Sequence, residues 1–244
     1  MVEKFEAAGQ WLFRWRSYLP LALLAVVIPA MHGFSYPDGS QDYDRLWEVF
    51  CLFVSCIGLF IRAYTIGHAP RGTSGRNVAN QLAERLNQTG IYSMCRNPLY
   101  LGNFFMILGV VSFVRVWWVD VIYALAFWLY YERIIAAEEA FLSEKFGATY
   151  ADWKSRTPVF VPNPRLWKPN VLPFSLKTVL RREYPGFFAV IAAMTMLEVG
   201  GDYVISGRFE YDPMWVGLFF FGLVVYLVLR TLKKKTTLLD VEGR

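Results

Sequence analysis

Two short segments hold the residues best suited to chemistry. Gly90–Gly102 reads GIYSMCRNPLYLG, with Arg96 and Asn97 directly before Pro98. Proline suits the first turn of a helix, where its missing N–H is no loss. A helix starting at Pro98 turns its free N–H groups and positive dipole end toward an anionic group. Tyr92 and Tyr100 add rings and hydroxyls on either side. An interfacial helix start with tyrosine anchors and a snorkelling arginine has the same pattern. The second segment, Tyr131–Gly147, reads YERIIAAEEAFLSEKFG. Glu132 and Glu139 are seven apart and share a helix face, with Glu138 about 100° round from Glu139. Arg133 lies on neither carboxylate's face. Adjacent carboxylates where a helix leaves a membrane suit a cationic ligand or sugar hydroxyls. They also suit a solvated surface.

Other chemistries find little support. No glycine-rich loop follows a strand, so a dinucleotide fingerprint is absent. No Cys/His spacing suits zinc, and no metal is expected. His32 and His68 are far apart in sequence. An odd count of cysteines, Cys51, Cys56 and Cys95, argues against a disulfide framework. No Ser-His-Asp arrangement can be read.

The elements that must position these residues are membrane spans. Hydrophobic residues make up 55% of the 244 and charged residues only 18%, against about 25% charged in a soluble domain. Ser17–Pro37, Asn97–Val114 and Pro213–Leu229 contain no Asp, Glu, Lys or Arg. Such runs approach the ~20 apolar residues that cross a bilayer. The pattern predicts an all-α, polytopic membrane protein with about six transmembrane helices, roughly 17–35, 46–66, 97–114, 117–134, 185–206 and 213–230. Glu198 and Asp202 interrupt the fifth. Trp11, Trp15 and Tyr18 read as interfacial anchors for the first. Six spans place 22 of the 25 Lys and Arg on one side. The positive-inside rule makes that side cytoplasmic, with both termini there. The net charge of +5 then reflects topology, and no nucleic-acid partner is expected.

The connections on that side predict a flexible turn at Arg71–Gly75, an amphipathic helix over Asn77–Asn87, a helix stop at Gly147 and a non-helical stretch over Pro158–Pro173. Three regions follow: 1–45 with the first span, 46–172 as the core, and 173–244 as a C-terminal hairpin with a basic tail.

The ordered pair of segments resembles the isoprenylcysteine carboxyl methyltransferase family and its phospholipid-methyltransferase relatives. That family pairs an RHPxYxG-type segment with a later R-I…E-E…FG..Y segment and a proline-rich tail. Here the first is Arg96-Asn97-Pro98-Leu99-Tyr100-Leu101-Gly102. The second is Arg133-Ile134, Glu138-Glu139, Phe146-Gly147, Tyr150 and Trp153, followed by Pro158 to Pro162. The match covers about 46–163. It departs where the family commonly has His and this chain has Asn97, which hydrogen-bonds but carries no charge.

The resemblance implies S-adenosylmethionine as methyl donor, a cofactor pocket on the cytoplasmic side, and a lipid or prenylated substrate entering from the bilayer. Tyr92, Asn97, Pro98, Tyr100, Leu101, Gly102, Glu138 and Glu139 are then expected at the cofactor. Arg96 and Arg133 are the expected catalytic residues, and Arg133 and Arg156 the expected substrate contacts. An anionic oxygen needs alignment and a cationic clamp rather than a base, and the arginine supply favours it. A phospholipid amine, a sterol-reductase-like NADPH enzyme and a non-enzymatic transporter are the alternatives. Transporters place charge near mid-bilayer, and Glu198 is the exception to an otherwise uncharged set of span centres.

Overall fold

The computed structural model describes residues 9, 11–12, 19–35, 41–70 and 84–244. Its described residues are helical throughout apart from connections and one isolated bridge, Gly90 to Lys168. The expected turn at Arg71–Gly75 lies outside them, as do Trp15, Tyr18 and most of Asn77–Asn87. The described end of that last stretch, 84–87, is not helical.

Among the described residues, seven α-helices have described bounds. They are α1 (Leu24–Ala30), α2 (Gln41–His68), α3 (Ile91–Met94), α4 (Pro98–Ser112), α5 (Trp117–Arg156), α6 (Leu176–Ser206) and α7 (Pro213–Lys235). Tight 3₁₀ turns flank α1 at Leu19–Leu23 and Met31–Gly33. Sequence marks several of the starts. Pro98 and Pro213 occupy the first turns of α4 and α7, Ser175 caps α6 through Thr178 N, and Asp212 caps α7 through Met214 N at 2.6 Å.

Among the described residues, three helices are long and apolar enough to cross a membrane: Tyr43–His68 within α2, α6 and α7. Leu21–Gly33 and α4 are shorter apolar helices. The outer surface agrees with a lipid setting. Phe53 and Phe60 on α2, Leu125 and Trp128 on α5, and Phe220 and Phe221 on α7 are all exposed. An apolar face of this extent marks a membrane or an interaction surface.

The helix pair that fixes the site is α2 against α4. A Cβ added at Gly58 would run into the Gly102 carbonyl and the Met106 amide. One at Gly109 would strike the Cys51 carbonyl and the Ser55 hydroxyl. Only glycine allows backbones this close. Ser55 uses the proximity to donate to Met106 O at 2.8 Å. One apolar cluster joins α1, α4 and α5 around Val27, Val111, Tyr123, Phe127 and Tyr131. A second joins α2, α6 and α7 around Cys51, Val190, Met194 and Trp215.

Helix α5 is two rods rather than one. Gly147 sits at φ 51°, ψ −126°, outside helical space. The expected stop is real, but the chain resumes helix to Arg156, which brings Tyr150, Trp153 and Lys154 back over the first rod.

Candidate functional site

The site is built where the end of α2, the start of α4, the middle of α5 and the start of α6 meet. The segment after α5 straps it. Arg96 N donates to Pro158 O at 2.9 Å, Asn97 Nδ2 to Val159 O at 3.0 Å, and Asn163 N to Met94 O at 3.0 Å. Lys168 N donates to Ser93 Oγ, and Gly90 N to Lys168 O, both at 2.9 Å. Proline supplies no N–H, so this stretch offers carbonyls rather than a helix ladder. Asn97, at the helix start, makes no side-chain cap and spends its amide on the strap instead.

Two polar chains run through the meeting point. In the first, Glu183 on α6 holds Arg62 on α2 in a two-pronged pair at 2.6 and 2.8 Å. Arg62 also donates to Asn103 Oδ1 at 2.6 Å, and Asn103 Nδ2 donates to the Tyr131 hydroxyl at 3.1 Å. The Tyr131 and Tyr100 rings lie 4.5 Å apart, and the Tyr100 hydroxyl donates to Glu138 Oε1 at 2.7 Å. In the second chain Glu139 is clamped between Arg96 at 3.1 Å and Lys154 at 2.8 Å.

The adjacent glutamates therefore differ. Glu139 is held by two cations. Glu138 meets the hydroxyl of Tyr100 and faces the half-buried Tyr92. Burial, and then the Glu138 charge, push the Tyr92 hydroxyl well above the ordinary phenol range against the opposing pull of Arg182 and Arg62. The Tyr150 hydroxyl is raised likewise, by burial and then by Glu139. Burial pushes the Cys95 thiol up to about 11, although its backbone contact at Asn97 and the Arg96 charge lower it. It is a neutral thiol at pH 7, so it is a poor nucleophile.

Of the residues expected at the site, the structure brings together Tyr92, Arg96, Asn97, Tyr100, Glu138 and Glu139. Pro98, Leu101 and Gly102 are buried in packing, with Gly102 against the Arg62 stem and Gly58. Arg133 bonds the Leu129 carbonyl four residues back. Arg156 pairs with Asp152 on an exposed face. Sequence reasoning passed over Arg62, Asn103, Tyr131, Lys154 and Glu183. Signals existed for two of them. Tyr131 is seven residues before Glu138, and Asn103 three after Tyr100, so each shares a helix face with a residue already singled out.

The donor set suits a ligand that is part cation and part anion. Glu138 answers an ammonium or a diol, and the tyrosines answer a ring. Arg96 is buried, yet its Nε–H has no hydrogen-bond acceptor among the described residues. A buried donor left unmet costs about 1–3 kcal/mol, and a ligand carboxylate would satisfy it.

Comparisons with known proteins cover part of the segment that carries these residues. The family described as phospholipid methyltransferase matches residues 49–149, which carry α4 and the first rod of α5. Over 155 residues the chain is 30% identical to a nickel-cobalt-cadmium resistance protein of Alcaligenes xylosoxydans xylosoxydans, covering 63% of this chain and 65% of that one. It is 27% identical over 152 residues to the protein-S-isoprenylcysteine O-methyltransferase of Saccharomyces cerevisiae, covering 60% and 64%. It is 39% identical over 130 residues to a cobalt-zinc-cadmium resistance protein of Cupriavidus metallidurans, covering 53% and 58%. The chain thus spans a little under two thirds of the length of these relatives. No solved structure matches it. The resemblance to the isoprenylcysteine and phospholipid methyltransferases is the one its two segments carry.

Proposed function

We propose that the chain is an integral membrane methyltransferase that uses S-adenosylmethionine and methylates an anionic oxygen, a carboxylate or a phosphate, on a lipid or lipid-modified substrate. The observation that carries the reading is the buried, unmet Nε–H of Arg96 beside the Tyr100–Glu138 pair, within the stretch that matches the family. In this reading Arg96 takes the donor's carboxylate and Glu138 its ammonium or ribose hydroxyls. Glu139 positions Arg96. Tyr92 and Tyr100 supply ring surface. S-adenosylmethionine, when bound, supplies an electrophilic methyl group on a sulfonium.

The remaining work falls to the chain. An anionic oxygen needs no proton removed, so no general base is required. It needs to be held in line and stripped of water. The strap from Pro158 to Lys168 excludes water above the site, and Arg133, where α5 leaves the membrane, orients the oxyanion. The six-span arrangement with both termini cytoplasmic fits this reading, because 22 of 25 basic residues then share the site's side. The description of the matched family favours a second reading, methylation of a phospholipid amine.

One experiment separates the readings. Purified protein is incubated with methyl-labelled donor and, in parallel, a farnesylated cysteine, a polyprenyl phosphate and phosphatidylethanolamine, with products read by mass spectrometry. Label on either of the first two supports an anionic acceptor. Label on the amine alone replaces it with the second reading, and no transfer to any overturns both.

The same assay tests Arg133. Arg133→Lys keeps the charge and loses the two-pronged geometry. The expected result is unchanged donor affinity and turnover lowered by about tenfold or more, the scale of one charge-assisted hydrogen bond. Weaker donor binding would move Arg133 into the cofactor pocket. Unchanged values for both would make it a helix anchor.

A further inference from the structure

At the other end of the bundle, three carboxylates from two distant helices converge. Oxygens of Asp44 and Glu48 on α2 and of Glu198 on α6 lie within 4.8 Å of one another. All three side chains are buried, with Glu198 only 5% exposed. They line a cavity of about 170 Å³, together with Asp202 and, from the α6–α7 connection, Glu210 and Asp212. Like charges so close repel strongly unless something positive or a proton lies between them.

The protein answers part of this charge. Trp215 Nε1 donates to Glu48 Oε2 at 3.0 Å. Arg115 pairs with Asp44 and reaches Glu48 at 3.7 Å. It does so from φ 62°, a left-handed conformation that an arginine rarely adopts. Arg45, on the cavity wall, pairs with Asp212. Among the described residues Glu198 Oε2 is buried with no hydrogen-bond partner, on a residue that lines the cavity.

We propose that Asp44, Glu48 and Glu198 bind a divalent cation, which ties α2 to α6 at the end of the bundle away from the methyl-transfer site. The ligand atoms are all carboxylate oxygens, so the cation is hard: Ca²⁺, Mn²⁺ or Mg²⁺ rather than a thiolate-seeking metal. The volume accommodates an ion with some of its waters, each needing about 30 Å³. Carboxylates outnumber arginines around the cavity, so a dication is held there against Arg115 rather than expelled by it. The site stands apart from the proposed activity, so either can fail alone.

The test uses the full chain in detergent, stripped by chelator and titrated with Mn²⁺. Free Mn²⁺ is followed by electron paramagnetic resonance. One equivalent is expected to bind and to be displaced by Ca²⁺. Glu198→Gln should weaken binding by about tenfold or more, since loss of even a supporting contact at a metal site costs that much. Asp44→Asn serves as the second variant should the first not fold. Donor binding, read in parallel, should be unchanged in both. Absence of bound Mn²⁺ at millimolar concentration, or undiminished binding in both variants, overturns the proposal. So does a protonated-carboxyl infrared band that Mn²⁺ leaves untouched and Glu198→Gln removes, which would mean that a shared proton does the cation's work.

Discussion

Glu138→Gln is expected to weaken S-adenosylmethionine binding by about ten- to a hundredfold while leaving the fold intact. Gln keeps the shape and can still accept the Tyr100 hydroxyl, which lies 2.7 Å from Glu138 Oε1. What it loses is the charge facing the ligand, and a charge-assisted hydrogen bond contributes about 1.5–3 kcal/mol. The neighbouring substitution should behave differently. Glu139 is already held by Arg96 and Lys154, so Glu139→Gln releases two cations and should lower thermal stability as well as donor affinity. Calorimetry with the donor, beside a melting curve in detergent, distinguishes the two. Unchanged affinity in Glu138→Gln would return that residue to a structural role, and equal stability losses in both variants would remove the distinction.

Glu183→Ala should be among the most destabilising single changes in the chain, at about 3–5 kcal/mol. Glu183 and Arg62 are both mostly buried, at 7% and 15% side-chain exposure. Removing the acid strands a guanidinium between helices that close glycine packing keeps together. Asn103 alone cannot neutralise it. The double variant Arg62→Met/Glu183→Leu should recover much of the loss, because an apolar pair of similar volume often replaces a buried ion pair without penalty. Denaturant midpoints in detergent measure both. If the single variant is as stable as the parent, the pair is not part of what holds α2 to α6.

The helices were legible because their signals are local. Charge-free runs gave α4 and α7, and Pro98 marked the start of α4. Arg96, Tyr100 and the two glutamates could be singled out because a helix start and an i, i+7 pairing are read along one segment. The Arg62–Glu183 pair could not. Its partners are 121 residues apart, and each alone looks like an ordinary charge at a span boundary. The Asp44–Glu48–Glu198 cluster was hidden for the same reason, since only Asp44 and Glu48 stand one turn apart. Glu198 drew notice as a charge within a span, but its partners are set by which faces of α2 and α6 meet. The backward turn of α5 was half legible. Glycine announces a stop, yet nothing local says that helix resumes beyond it.

That turn has a stereochemical consequence. Gly147 stands at φ 51°, ψ −126°, the mirror image of ordinary extended backbone, and among the described residues, its chain neighbours and its own helix backbone aside, no atom lies within 4 Å of where its Cβ would project. There is room for a side chain, and the sole objection to one is its handedness. L-alanine at 147 should strain the backbone by about 1–3 kcal/mol. D-alanine, introduced by semisynthesis, should sit there as comfortably as glycine and leave the melting midpoint unchanged or raised. Position 147 selects against a chirality and is indifferent to bulk, so its glycine serves as the chain's stand-in for a D-residue.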